Sequence, residues 1–516
     1  MTRAASGDER ERGPRSVPPG VARRRARAAS RRQRAIPEPA KLARIADASK
    51  ASPNVDGVLD KNASETYLGN ISAARSGSTT KNANANATVS DADASGFVSR
   101  PVGTSSTAQA MANSVNILLG VGLLSVPYAL KQGGWAGLGV LGLLGCVTNY
   151  TGKALIRVQA RGSLRDAKTN RERPLTSYED IGEAAFGETG RAFITAVLYT
   201  ELVGTCALFF ILEGDHLSLL FDGTKYLTHS SQWWQCASAT AMIPTLWLPD
   251  LSALSYVGAL GALASVSLVG VVAFQLAAVD GFPLESYPPG FESTAFLHLT
   301  TLPVSFGLLA FVFAGHAVFP AIYASMAEPE EYEPMLDRTY AVVGLTCAVI
   351  GAAGYAMYGD AVKDEVTLNL PAGAASTLAL ALITVNPLSK FALTMDPVAR
   401  GLESALGVRT NDDETSDETS DETNRTPLKA RVLRTGLGLG ALLAAAKVPF
   451  FAVVMSLIGS FLTLTVSVIF PAACHLKVFE DELTDREILV DWAIMFVGGF
   501  CVVVGSASAV ADLLAK

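Results

Sequence analysis

After residue 108 the chain is a succession of long apolar runs, and this feature limits the class of fold it can adopt. Eleven runs are long enough to cross a bilayer, which takes about 20 apolar residues in a helix. They cover residues 109–131, 135–156, 192–213, 233–249, 251–279, 299–326, 339–358, 374–398, 433–449, 451–475 and 488–511. Because hydrocarbon cannot satisfy backbone N–H and C=O groups, runs of this length are predicted to be helical. The sequence therefore predicts an all-α integral membrane protein with eleven transmembrane helices.

The polar residues are gathered outside these runs. Only 17% of the 516 residues are charged, against about 25% in a soluble domain. Residues 1–108 are Arg-rich and contain too few apolar residues to form a core, so we predict a disordered tail. The acidic stretch 410–428 is predicted to be a disordered loop within a transmembrane domain that covers 109–511.

The distribution of basic residues predicts the orientation of the chain. The loop 157–191 is rich in Lys and Arg, whereas the loops after runs three, five and seven contain few. The positive-inside rule then places the basic tail in the cytosol and residue 516 on the opposite face. The tail also fits an organelle transit peptide, which we keep as an alternative. Nucleic-acid binding by the tail is not expected.

Two runs are interrupted near their centres by glycine and proline with the same spacing, Gly122 to Pro127 and Gly315 to Pro320. A helix broken at membrane depth leaves backbone groups unpaired, which favours a binding site there. The exposed N–H groups would attract a carboxylate and the exposed carbonyls an ammonium group, so a zwitterionic ligand is predicted. If runs one to five and six to ten form two repeats of opposite membrane orientation, the two interrupted runs occupy equivalent positions. The alternative is that these glycines and prolines only permit close helix packing.

Few ionisable side chains lie inside the runs. Because a charge inside a bilayer is costly, each of them is expected to have a structural or functional role. We predict that Glu201 or His316 carries a proton during transport. On the eighth run, Asn386, Lys390 and Thr394 share one helix face, and the Lys390 ammonium group could take the place of a sodium ion. The alternatives are a protonated Glu201 bonded to a neighbouring helix, a packing role for His316, and a Lys390 that reaches an interface.

Two other ionisable residues lie inside the runs. Lys447 and Asp491 lie near run ends, where interfacial placement explains them. The sequence has no Walker loop, HExxH or CxxC motif, and its six cysteines are scattered, so neither an enzyme, a metal site, a disulfide framework nor a cofactor is expected.

Several motifs, in order along the chain, resemble those of the amino acid/auxin permease family. The segment from Asn116 to Ala129, followed by Lys131 to Trp135, looks like the first-helix signature of that family. Tyr178–Gly187 resembles the cytosolic motif that precedes the third helix in that family. Other segments are similar to the plant-type vacuolar amino acid transporter branch. These are Leu212–Asp215, Leu248–Ser252, Gly315–Pro320, Thr367–Pro371 and Val385–Pro387.

The resemblance implies eleven helices in a five-plus-five inverted-repeat fold with helices 1 and 6 broken, and a secondary transporter that moves amino acids coupled to protons. We expect that transport proceeds by alternating access, and Lys390 argues against sodium as the coupled ion. The implied location is the vacuolar membrane, with the plasma membrane or plastid envelope as alternatives. The expected partners are an amino acid, protons and the lipid bilayer. The ligand region of the family maps onto Asn116, Gly120, Gly122, Ser125, Phe313, Gly315 and His316, and we assign coupling to Glu201, His316, Asn386 and Lys390.

A second hypothesis belongs to another class. The chain could be an amino acid-sensing receptor, related to transporters, that signals through its long cytosolic tail. The length of the 1–108 segment motivates this hypothesis.

Overall fold

The computed structural model describes residues 103–165, 172–222, 224, 228–248, 265–272, 274, 291–371, 373–408 and 427–515. The predicted tail lies outside the described residues except for 103–108, and the acidic loop except for 427 and 428. Most of the fifth apolar run also lies outside them.

The described residues are mainly helical. The helices are α1 (Thr107–Leu118), α2 (Gly122–Gly133), α3 (Ala136–Arg161), α4 (Tyr178–Leu220), α5 (Ser231–Thr245), α6 (Leu302–Val312), α7 (Phe319–Ser325), α8 (Tyr332–Tyr358), α9 (Ala374–Ala405), α10 (Leu428–Lys447), α11 (Phe451–Leu457), α12 (Phe470–Val478) and α13 (Asp485–Ala515). Two π-helical segments, Ile458–Thr463 and Thr465–Ile469, join α11 to α12. Residues 265–272 are also helical. Short 3₁₀ turns cover Phe291–Ser293, Pro329–Glu331, Gly359–Ala361 and Val366–Asn369. One antiparallel pair, β1 (Ser163–Arg165) and β2 (Glu172–Pro174), places Ser163 opposite Pro174.

Each predicted apolar run within the described residues corresponds to one helix or to two successive helices. Among these residues, five helices are long and apolar enough to cross a membrane, and α1 with α2 makes a sixth if the bent pair is one span. The other helices are shorter or less apolar than that criterion requires. The chain is therefore a helical multi-pass membrane protein.

Local sequence signals explain several helix ends. Ser106 caps α1 in a capping box, in which its side chain accepts from the Gln109 backbone N–H and the Gln109 side chain accepts from the Ser106 backbone N–H. Gly134 has φ 74°, a left-handed conformation that favours glycine, and it turns the chain from α2 into α3. Gly187 has φ 69° and kinks α4, so Tyr178–Phe186 forms a separate first part of that helix.

The core is built by close helix contacts around α2. Gly351 and Gly354 of α8 face Val126 and Pro127 of α2, and a β-carbon at either glycine would lie within 2.8 Å of those side chains. Because glycine has no side chain, α8 can approach α2 this closely. The interrupted first run is therefore held in the middle of the bundle.

The helices run between two ends of the bundle. We call one the basic end, defined by Arg157, Arg161, Glu333 and Glu482, where α3 ends and α4 and α8 begin. We call the other the cavity end, defined by the residues that line a cavity of about 400 Å³ there. These are Tyr128, Lys131, Asp215, Ala361, Val362, Lys363, Asp364, Leu368, Pro449, Phe450 and Phe451.

Candidate functional site

The first interruption lies between α1 and α2, whose axes are bent by 50°. The last regular bond of α1 runs from Leu119 N–H to Val115 O at 2.8 Å. Hydrogen bonding resumes with Leu123 N–H to Gly120 O at 3.2 Å. Within the described residues, no backbone carbonyl accepts from the N–H groups of Gly120 or Val121. The start of α2 therefore presents donors that have no backbone acceptor in the described part of the chain.

Side chains from other helices supply partners for the carbonyl groups of this interruption. The Lys390 ammonium group of α9 donates to Asn116 O at 2.7 Å, and its nitrogen lies 3.8 Å from where a β-carbon on Gly120 would be. Ser265 Oγ donates to Leu119 O at 3.2 Å and accepts from Asn386 Nδ2 at 3.2 Å. The polar face predicted on the eighth run therefore points at the interruption in the first.

The second interruption lies between α6 and α7. Gly315 N–H donates to Phe313 O at 2.9 Å, and Val318 N–H donates to Gly315 O at 3.2 Å. In the described part of the chain, the N–H groups of His316 and Ala317 have no backbone acceptor. This interruption therefore also offers donors at the start of a short helix.

The two interruptions lie against each other. A β-carbon on Gly122 would be 3.0 Å from Val312 Cα at the end of α6, and one on Gly315 would be 2.8 Å from Leu118 Cδ2 at the end of α1. A β-carbon at Gly122 would press on the Val312 backbone, whereas one at Gly315 would press on the end of the Leu118 side chain. The glycines are therefore needed for the close approach, and the crossing is tightly packed in this conformation.

Two of the predicted ligand residues point to other helices. Ser125 Oγ donates to Gly122 O at 3.0 Å and contacts Met455 Sδ of α11 at 3.0 Å. The Phe313 ring stacks on Tyr340 of α8, with centroids 5.5 Å apart. Both side chains are buried. The structure thus brings Asn116, Gly120 and Lys390 together but directs Ser125 and Phe313 elsewhere.

His316 takes part in a buried hydrogen-bond chain. Its Nε2 lies 3.1 Å from Thr151 Oγ1 of α3, and Thr151 Oγ1 lies 2.6 Å from Ser467 O. Because the hydroxyl has one proton and that proton goes to Ser467 O, Nε2–H is the donor to Thr151. His316 Nδ1 is buried and has no hydrogen-bond partner among the described residues. The geometry therefore fits a neutral imidazole.

Glu201 is buried on α4 and meets the π-helical part of the tenth run. Its Oε1 accepts from Thr463 Oγ1 at 2.6 Å, across 262 residues of sequence. Next to it, Gly204 leaves room for Ile458, which would lie 2.9 Å from a β-carbon there. Helical segments of π type are frequent at functional sites.

Sequence reasoning missed a row of hydroxyl groups on the tenth run. Ser456, Ser460, Thr463 and Ser467 follow one another at intervals of four, three and four, which places them on one helix face. All four are buried. This spacing in an apolar run was a signal that the run has a polar, inward-facing side.

The prediction for Asp491 was wrong. The residue is fully buried, accepts from Tyr150 OH at 2.9 Å, and lies 2.8 Å from His475 Nδ1. Its helix begins at Asp485, so Asp491 lies more than a turn inside it and meets α3 and α12 instead of the interface. Lys447 is exposed at the end of α10, as interfacial placement requires.

The cavity is separate from the interruptions. None of the predicted ligand or coupling residues is among those that line it. Among the described residues, no group of three or more His, Cys, Asp or Glu side chains is arranged to hold a metal ion.

These features define a multi-pass membrane protein of the transporter class, and its fold is similar to that of a solved structure. The crystal structure of MhsT in complex with L-phenylalanine matches with a TM-score of 0.52 and 12% identity, over 80% of this chain and 100% of that one. The family described as "Transmembrane amino acid transporter protein" matches residues 103–511, and the chain belongs to that family. It is thus a member of a transporter family and not an enzyme.

Curated relatives cover most of the same length. Amino acid transporter AVT1B of Arabidopsis thaliana is 38% identical over 418 residues, which is 80% of this chain and 72% of the relative. Amino acid transporter AVT1I of the same plant is 30% identical, over 80% of this chain and 96% of the relative. The vesicular inhibitory amino acid transporter of Xenopus tropicalis is 26% identical, over 78% of this chain and 76% of the relative.

Proposed function

We propose that the chain is a secondary active transporter that moves amino acids across an endomembrane by alternating access, coupled to protons. The observation that carries this proposal is the contact between the two interruptions, Gly122 against Val312 and Gly315 against Leu118. Two interrupted helices that meet inside a bundle create a polar site away from water and lipid. The family of the chain and the names of its relatives support amino acids as the solute.

The proposed ligand region comprises Asn116, Gly120, Gly122, Ser125, Phe313, Gly315 and His316. The free N–H groups at the starts of α2 and α7 suit a carboxylate, and carbonyl groups at the end of α1 suit an ammonium group. Because the crossing is tightly packed in this conformation, α1 and α7 must separate to admit a solute. This requirement for opening supports transport by alternating access.

The proposed coupling to protons follows from Lys390. Its ammonium group already neutralises the carbonyl end of α1, which leaves less attraction there for a sodium ion. Glu201, hydrogen-bonded to Thr463, and His316, hydrogen-bonded to Thr151, are the proposed proton carriers. Asn386 supports the same face through Ser265.

The proposed architecture is eleven spans in a five-plus-five inverted repeat, with the N-terminus and the basic end in the cytosol. The vacuolar membrane is the proposed location, supported by the resemblance of the motifs to the vacuolar branch. The sensing hypothesis rests on the tail 1–108, and no described contact favours it.

A direct test is uptake of labelled amino acids into proteoliposomes with and without an imposed pH gradient. A competition panel of unlabelled amino acids at two pH values would identify the solutes. Replacing Gly122 by Val is expected to lower uptake at least tenfold, because the new side chain meets Val312. The matched control is Gly142→Val in α3, where a β-carbon meets nothing within 4 Å. Equal uptake by the two variants would remove the proposed ligand placement.

The coupling residues can be tested in the same assay. Glu201→Gln and His316→Gln each remove a group that can change charge, so the variant of the true carrier should lose the response to the pH gradient. Lys390→Met removes the cation beside Asn116 O. Uptake that becomes dependent on sodium in this variant would show that the Lys390 ammonium group takes the place of a sodium ion. Uptake by the wild-type protein that ignores the pH gradient would end the coupling proposal.

A further inference from the structure

A second group of buried ionisable side chains lies at the cavity end, away from the interruptions. Glu213 and His216 belong to the last turns of α4, and Glu365 belongs to residues 359–371, which we call the cap segment. All three are at most 1% exposed. His216 Nε2 lies 3.1 Å from Glu365 Oε2 and 2.9 Å from Thr367 Oγ1, a residue 151 positions away in sequence. The cap segment is thus fastened to α4 through this imidazole.

The hydrogen bonding shows which protonation state this arrangement fits. His216 Nδ1 and Glu213 Oε1 are buried and have no hydrogen-bond partner within the described residues. An imidazolium would therefore leave a buried N–H without an acceptor, which is costly. A neutral imidazole supplies no charge to balance Glu365. A buried carboxylate without a cation is strongly disfavoured, so Glu365 fits best as a neutral acid.

Burial and the neighbouring carboxylates favour the protonated form of Glu365. Burial, together with Asp215 of α4 and Asp364 of the cap segment, raises the pKa of Glu365 well above its ordinary range. Asp215 accepts from Ser231 of α5, and Asp364 accepts weakly, at 3.4 Å, from the Ala452 N–H of α11. These carboxylates therefore keep their own partners and repel a charged Glu365.

Two lysines and one tyrosine lie at this end of the bundle. Lys131 of α2 donates to Val362 O at 2.9 Å, so its ammonium group holds the backbone of the cap segment. Lys363 of the cap segment and Tyr128 of α2 line the cavity, as Lys131, Asp215 and Asp364 do. The cap segment therefore lines the cavity through Lys363 and Asp364, which immediately precede Glu365 in the sequence.

We propose that His216 and Glu365 form a proton-binding site that fastens the cap segment to α4 when Glu365 is protonated and releases it when Glu365 is not. The site takes protons from the cavity side of the membrane. In the closed state Glu365 is buried beside carboxylates, and in the released state it is in water, where its ordinary pKa is about 4.3. The closed state therefore binds the proton more tightly.

The sign of the pH effect follows from this difference. Closure is complete at a pH below the ordinary value of Glu365, and it weakens as pH rises from that value toward the raised one. Loss of one proton changes the closed-to-released ratio by about tenfold per pH unit in this window. Since the cap segment forms one wall of the cavity, its release widens the cavity mouth. The proposal concerns the cap segment and holds whatever solute the chain carries.

Hydrogen exchange of the full-length protein in nanodiscs tests this without any transport. We expect the amides of the cap segment, such as those of Lys363 and Leu368, to lose about tenfold in protection per pH unit above about pH 5, after correction for intrinsic exchange. Glu365→Gln mimics the protonated acid, so its cap segment should stay protected and independent of pH. Glu365→Met, a second variant of similar volume, should behave in the same way.

The matched control is Asp360→Asn, an exposed carboxylate in the same segment, which should keep the wild-type slope. Amides of α8 report whether each variant is folded. A wild-type profile without a slope overturns the proposal, whatever the variants do. So does a Glu365→Gln profile that follows the wild-type slope in a folded protein.

Discussion

Two buried glutamates at opposite ends of the bundle have different partners. Glu403, near the end of α9 at the basic end, accepts from Arg434 Nε at 2.6 Å and from Nη2 at 3.3 Å. Arg434 also donates to Leu246 O at 2.9 Å. Glu365, at the cavity end, faces the His216 imidazole. Both carboxyl groups are fully buried.

The difference shows that the cation, and not burial, decides whether an end of the molecule responds to pH. A guanidinium group keeps its charge at every physiological pH, so the pair at the basic end is permanent. The neutral His216 imidazole supplies no such charge, so the contact at the cavity end depends on the proton that Glu365 carries. One end is thus fastened by charge and the other by protonation.

The largest expected effect comes from removing the permanent cation. Arg434→Ala leaves Glu403 buried without a partner, and we expect a loss of about 3–5 kcal/mol in stability. Thermal unfolding in detergent, followed by tryptophan fluorescence, measures the loss. The control is Arg400→Ala, which removes a more exposed pair with Asp396 and should cost about 0–1 kcal/mol. Similar small losses in both variants would mean that the buried pair is no more important than the exposed one.

An intermediate effect is expected when the guanidinium group is exchanged for an imidazole. Arg434→His should make the stability of the basic end depend on pH. The imidazolium can pair with Glu403 at acidic pH but loses its charge as pH rises through about 6.5. We expect the variant to be less stable at pH 8 than at pH 5.5 by about 1–2 kcal/mol, beyond any change in the wild-type protein over that interval. A variant with the same pH profile as the wild type would contradict the comparison.

The smallest effect is expected at the surface of the basic end. Arg157 donates to Glu333 from α3 to α8 at 2.8 Å, and both side chains are about two-fifths exposed. Arg157→Ala should lower stability by at most about 1 kcal/mol, and the difference should shrink further in high salt. Unfolding temperatures at two salt concentrations measure this. A loss as large as that of Arg434→Ala would show that exposure does not weaken these pairs.

The helices could be predicted from the sequence because each run carries its own apolar pattern. The interruptions were predictable for the same reason, since Gly122 and Gly315 mark them locally. The contact of Lys390 with Asn116 O was anticipated only as a polar face that should point inward. Its partner could not be read from the sequence, because periodicity gives the direction of a face but not its neighbour.

The remaining features depend on residues that are far apart in sequence. His216 and Thr367 are 151 residues apart, and Glu201 and Thr463 are 262 apart. The motifs that contain Glu213 and Thr367 were noticed only through their resemblance to relatives. Nothing local indicates that a glutamate in a loop, such as Glu365, becomes buried. Such contacts are fixed by packing of the whole bundle.

The π-helical segments 458–463 and 465–469 have a mechanical consequence. A π turn contains more residues than an α turn, so reversion to α-helical winding shifts the register by one residue and rotates one side of the segment by about 100° about its axis. Such a rotation would carry Thr463 away from Glu201 and turn the row of hydroxyl groups toward another neighbour. The hydrogen bond between Thr463 and Glu201 therefore depends on the π-helical winding of the tenth run.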